Sequence, residues 1–105
     1  MKGYIVAFSD DTTIEAIPDD YGVCKFSVDG TEVSIVNGVV SSSVSFKSSL
    51  YVTDVKAAEV EKGKSADPIN EEGVGVNKRR CITCGSRYYC ATNGCINSPC
   101  GWVCD

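Results

Sequence analysis

The sequence predicts a mainly β fold: a small antiparallel β-meander or sandwich-like domain, followed by an extended arm and a Cys-rich, cross-linked C-terminal module. Three observations lead there. Asp29–Gly30 and Asn37–Gly38 are two-residue hairpin signals inside one run of alternating apolar and polar residues. At residue 56 the composition turns charged and has almost no large apolar side chains. Beyond residue 80 lie six of the seven cysteines.

Residues 1–55 read as the β domain. "GYIVAFS" (Gly3–Ser9) and "TTIEAI" (Thr12–Ile17) are short strands on either side of Asp10–Asp11, and "PDDYG" (Pro18–Gly22) is a second turn. In "CKFSVDGTEVSIVNGVVSSSVSF" both dipeptides suit turns whose two central residues have positive φ. Folding at Asp29–Gly30 sets Phe26 opposite Val33 and Cys24 opposite Ile35. Folding at Asn37–Gly38 sets Ile35 opposite Val40 and Val33 opposite Ser42. One face then collects Cys24, Phe26, Val33, Ile35, Val40, Val44 and Phe46, and the other collects Lys25, Ser27, Glu32, Ser34, Ser41, Ser43 and Ser45. Two turns that agree on a single apolar face specify the register, because a slip of one residue would turn every side chain over. "LYVTDV" (Leu50–Val55) is expected as a further meander strand after Ser48–Ser49.

Residues 56–80, "KAAEVEKGKSADPINEEGVGVNKRR", form the arm or linker. Val55–Lys62 has the length of two helical turns, which is marginal for an isolated helix. The remainder has the composition of a segment ordered only by a neighbour. "GVGV" (Gly73–Val76) lacks the Lys-Ser/Thr that would make it a phosphate loop.

Residues 81–105 are dense in turns, with Gly85, Gly94 and Gly101, and their aromatics are Tyr88, Tyr89 and Trp102. The segment has too few large apolar groups for a core of its own, so cross-links are expected to hold it. The spacing is Cys81-x2-Cys84-x5-Cys90-x4-Cys95-x4-Cys100-x3-Cys104. An even six among turn residues reads as three disulfides, with the connectivity open. A zinc ribbon is the alternative, from Cys81, Cys84, Cys95 and Cys100; it leaves Cys90 and Cys104 unused. A third reading makes the tail a modified or toxin-like peptide released by cleavage behind Lys78-Arg79-Arg80. Cys24 falls on the apolar face of the meander and reads as a buried free thiol.

Charge and chemistry narrow the function. Residues 1–55 carry three Lys against eight acids, and the whole chain is at −4. That balance lacks the clustered cations that nucleic-acid binding requires. Met1–Phe8 does not read as a secretory signal, and no stretch has the length and apolarity of a membrane span. The chain contains no His, which removes the commonest general base. Asp10–Asp11 and Asp19–Asp20 read as turn formers rather than a cation site.

The expected function is therefore a non-enzymatic structural or interaction protein: a subunit, decoration or attachment component of a larger assembly such as a virus particle or surface appendage. Protein partners or further copies are expected at unguarded sheet edges and along the 56–80 arm, with no cofactor. The expected location is extracellular or particle-associated without a secretory signal peptide. The alternatives are the peptide precursor and a cytoplasmic zinc-ribbon adaptor.

Overall fold

The computed structural model describes residues 1–43, 49–66, 70–72 and 79–104. Among these residues eleven strands run in chain order: β1 Lys2–Phe8, β2 Thr13–Ile17, β3 Val23–Val28, β4 Thr31–Val36, β5 Val39–Ser43, β6 Val52–Glu59, β7 Asn70–Glu72, β8 Arg79–Cys84, β9 Arg87–Asn93, β10 Cys95–Ser98 and β11 Gly101–Cys104. They build two antiparallel sheets, ordered β11-β10-β2-β1-β6 and β5-β4-β3-β9-β8-β7. The mainly β, sandwich-like expectation is met, and no described residue is helical.

The meander register is as the two turns require. Phe26 faces Val33 and Cys24 faces Ile35; Ile35 faces Val40 and Val33 faces Ser42. Asp29 and Gly30 have φ of 51° and 83°, and Asn37 and Gly38 have 50° and 83°, so all four sit in the left-handed region. Cys24, Phe26, Val33 and Ile35 are buried, whereas Val40 stays partly exposed at the sheet margin. Val44, Ser45 and Phe46 lie outside the described residues.

Three expectations change. Leu50–Val55 does not extend the meander: β6 begins at Val52 and pairs with β1 in the other sheet. The chain crosses between sheets here, and the Thr31 hydroxyl donates to the Leu50 carbonyl at 2.8 Å at the crossing. Val55–Glu59 is strand rather than helix, because β1 offers a full ladder from Lys2 to Phe8 that an isolated two-turn helix cannot match. The arm is thus partly an element of the fold. Val60 N–H donates to the Met1 carbonyl, and Lys64 and Ala66 exchange main-chain bonds with Trp102. Segment 61–66 is held by this chain itself, without need of a partner.

The third change concerns the tail. Residues 79–104 supply β8 and β9 to one sheet and β10 and β11 to the other, with β9 paired to β3 and β10 to β2. The crossing falls at Gly94, whose φ is +79° and whose missing Cβ leaves room for the Ile17 carbonyl. A single core cluster consequently mixes Val6, Phe8, Phe26, Val28, Val33 and Ile35 with Ile82, Tyr89, Ala91, Ile96 and Val103. The tail has no core of its own, as expected, but it shares this one instead of relying on cross-links alone. The gain follows from size, since small units bury too little surface separately.

Candidate interaction surface and the cross-linked framework

The cysteines of residues 81–104 form three disulfides: Cys81–Cys90, Cys84–Cys100 and Cys95–Cys104. Cys81 and Cys90 are directly opposite across the β8–β9 hairpin, and Cys95 and Cys104 across β10–β11. Both pairs stand at a Cα–Cα distance of 4.1 Å. Each hairpin turns on two residues, Gly85–Ser86 and Pro99–Cys100, and the bridge falls three pairs from the closing pair, counting outward. In an antiparallel ladder that parity is a non-hydrogen-bonded pair, where the strands approach most closely. Cys84–Cys100 differs in kind: it ties the turn of one hairpin to the turn of the other, one in each sheet, at 5.9 Å.

The zinc grouping of Cys81, Cys84, Cys95 and Cys100 does not form. Their sulfurs are shared out among three different bridges, and a disulfide sulfur is not the thiolate that zinc requires. Among the described residues no cluster of His, Cys, Asp or Glu could hold a metal ion. Cys24 is the one free cysteine and is fully buried. Burial first, and the Asp19 charge second, push its thiol up to about 12. In the tail's aromatic set, Trp102 is buried against Ile17 and Val60, and Tyr89 is buried in the main core. They seal the framework.

The acidic pairs act as turn formers. Asp19 Oδ1 accepts from the N–H groups of Tyr21 and Val23 at 2.9 and 3.0 Å. Asp10 Oδ1 accepts from the Thr12 hydroxyl and N–H. Sequence reasoning missed what Asp10 does next. Arg87, at the β8–β9 turn, reaches the β1–β2 turn through Asp10 at 2.5 Å and the β3–β4 turn through Asp29 at 3.2 Å. Its third contact is a 3.3 Å bond to the Thr12 hydroxyl. The Thr12 hydroxyl first, and Arg87 second, hold the Asp10 carboxyl down at about 2. One cation thus fastens three turns, two of which the cysteine-poor half provides. No local motif signals such a contact, because Thr12 and Asp10 are 75 and 77 positions away and Asp29 is also remote in sequence.

The surface is uneven in one respect that bears on function. The two sheets of described strands have four edges, and three carry recognised safeguards against pairing with another chain. β6 presents exposed Asp54, Lys56 and Glu59. β11 is covered, since Trp102 N–H donates to the Lys64 carbonyl and Ala66 N–H to the Trp102 carbonyl, both at 2.9 Å. β7, Asn70–Glu72, is three residues long, and a short edge offers little to pair with. β5 has none of these safeguards among the described residues: Val39–Ser43 is exposed along its whole length and holds neither a charge nor a proline. Val39 is 71% exposed and Val40 39%. Among the described residues, β5 is therefore the edge without a safeguard.

Beside this edge, the polar face of the sheet forms a shallow cavity of about 450 Å³ lined by Lys25, Ser27, Glu32, Ser34, Ser41 and Thr92, among others. The described residues include no helix long and apolar enough to cross a membrane. The chain matches no known family model, no curated protein and no solved structure.

Proposed function

We propose that this chain is a non-enzymatic structural or interaction protein, a building or attachment unit of a larger assembly such as a particle or surface appendage. It would work extracellularly or on the particle, where disulfides persist. The observation that carries the reading is the contrast at the sheet edges: a cross-linked body with three guarded edges and one uncharged, exposed strand, β5. Exposed edge strands are docking sites because their free N–H and C=O groups supply affinity to an added strand. An oxidised body suits a part that must stay rigid outside a reducing cell.

Release of the tail as a peptide finds less support. Arg80 lies within β8, between β7 and β9, and faces Glu71 on one side and Ala91 on the other. A protease needs an extended, accessible segment, and cleavage there would take four strands out of a common core. Lys78 lies outside the described residues.

Chemical cross-linking of the full chain in its native source, read by mass spectrometry, tests the proposal. The expected result is recurrent cross-links to one protein, or to further copies, mapping beside Val39–Ser43. Recovery only as a free 11.2 kDa chain, with residues 81–105 also found as a separate active peptide, would overturn it.

A further inference from the structure

We infer that the occupant of the β5 edge is β5 of a second copy, paired antiparallel about a two-fold axis at Ser41, so that two six-stranded sheets become one continuous sheet. This deepens the assembly reading and rests on it.

The inference comes from ladder parity. The β4–β5 hairpin turns on Asn37–Gly38 and closes at Val36 opposite Val39, which is a hydrogen-bonded pair in a two-residue hairpin. Alternation then makes Ser34–Ser41 and Glu32–Ser43 hydrogen-bonded pairs, while Val40 and Ser42 occupy the non-hydrogen-bonded positions. The N–H and C=O groups of Val40 and Ser42 consequently point away from β4, toward the open edge. Among the described residues nothing pairs with that edge.

An antiparallel copy satisfies these groups only in a register that matches outward-facing residues with outward-facing residues. Centring on Ser41 does so: Val40 meets Ser42 of the second copy, and Ser42 meets its Val40, each pair exchanging both main-chain bonds. Ser41 is also the midpoint of Val39–Ser43, so this register uses the whole strand. Val39 then faces Ser43 on the polar side, and both Val40 side chains extend the apolar face that begins with Ile35 and Val33.

Charge favours a second copy over an unlike strand. Residues 33–46 contain no ionisable side chain in a chain at −4 overall, so the strip is where two copies approach with least repulsion. It also gives a charged foreign peptide nothing to pair with. The arrangement is isologous and closed, consistent with a discrete dimer instead of an open fibre.

The test is register-specific cross-linking in the oxidised, full-length protein. Ser41→Cys would place two thiols directly opposite in a non-hydrogen-bonded pair. The chain already bridges two such pairs, Cys81–Cys90 and Cys95–Cys104. The expected result is a covalent dimer of twice 11.2 kDa on a non-reducing gel for Ser41→Cys. Ser43→Cys alone should give none, and an equimolar mixture of Val39→Cys and Ser43→Cys chains should give the dimer again. Sedimentation should show the wild type in concentration-dependent dimer equilibrium. Ser42→Pro removes an outward N–H while leaving the β4 ladder whole, and should be monomeric with an unchanged circular dichroism spectrum. A wild type that sediments as a monomer at every concentration overturns the inference, as does Ser41→Cys cross-linking no faster than Ser43→Cys. Both results leave the assembly reading to its own test in the native source. A dimer that Ser42→Pro leaves intact also overturns the inference, by moving the contact to another face.

Discussion

Cys84 and Cys100 join the turns of two hairpins that belong to different sheets, with their Cα atoms 5.9 Å apart. The other two bridges each reinforce a hairpin that its own ladder already closes; this one prevents the sheets from parting at that end. Its loop spans 16 positions against nine for each of the others. Chain entropy alone assigns such loops similar values, about 3 kcal/mol each. Replacing Cys84 and Cys100 together by Ala should therefore cost about 3 kcal/mol, with further loss from core packing because Cys84 is buried. Urea unfolding should show the drop as a lower midpoint.

The free thiol gives a second expectation. With its pKa near 12 and its side chain fully buried, Cys24 stays protonated and inaccessible. Iodoacetamide at pH 8 should leave the native protein unmodified and add one group after unfolding without reductant. Intact mass should lie about 6 Da below that of the fully reduced chain, the loss expected for three bridges. Burial of the thiol also has a sign in pH. The unfolded chain ionises it near 9, so stability should decline as pH rises from there toward about 12.

The Arg87 cluster predicts behaviour in acid. Asp10 titrates near 2 in the folded protein against 3.8 when unfolded, and Asp19 is lowered in the same direction, chiefly by the Val23 N–H. A depressed carboxylate stabilises above its unfolded value and loses that contribution as pH falls through the folded one. Stability should therefore fall between about pH 4 and pH 2, and Asp10→Asn should flatten that limb. Arg87→Ala should cost about 1 kcal/mol at pH 7, since it unfastens three turns in a partly screened setting, and the loss should shrink in acid. Chemical denaturation across pH measures both.

Two glycines separate backbone strain from crowding. Gly38 and Gly94 have nearly the same φ, +83° and +79°. A Cβ at Gly38 would meet nothing within 4 Å, whereas at Gly94 it would collide with the Ile17 carbonyl. Gly38→Ala should cost about 1 kcal/mol, the strain of a left-handed residue. Gly94→Ala should cost clearly more, because main chain at the crossing between sheets must move. Thermal unfolding of the two variants compares them directly.

Part of this architecture was legible in the sequence. Asp29–Gly30 and Asn37–Gly38 determined the β3–β4–β5 register because turn chemistry and alternation agreed there. Cys24 was legible for the same reason. The bridging pattern was partly available: Cys81 and Cys90, and Cys95 and Cys104, have equal separations with a turn dipeptide midway, so each pair is set opposite by the same ladder arithmetic. The division at residue 80 concealed the pairing of β9 with β3 and β10 with β2, because long-range partners leave no local trace. Polar composition hid the arm's contribution as well. Val52–Glu59 is a strand because β1 needs a neighbour, and its exposed charges are what guard an edge.

Residues 79–104 and residues 1–59 share one core and both sheets, which makes the Cys-rich stretch the staple of the whole body. Amide hydrogen exchange of the oxidised full chain, followed residue by residue in rising denaturant, tests it most directly. The slowest amides of β3 and β9, and those of β2 and β10, should converge on one opening free energy and lose protection together. Persistent protection in β8–β11 after β1–β4 has become exchangeable, or the reverse, would contradict it.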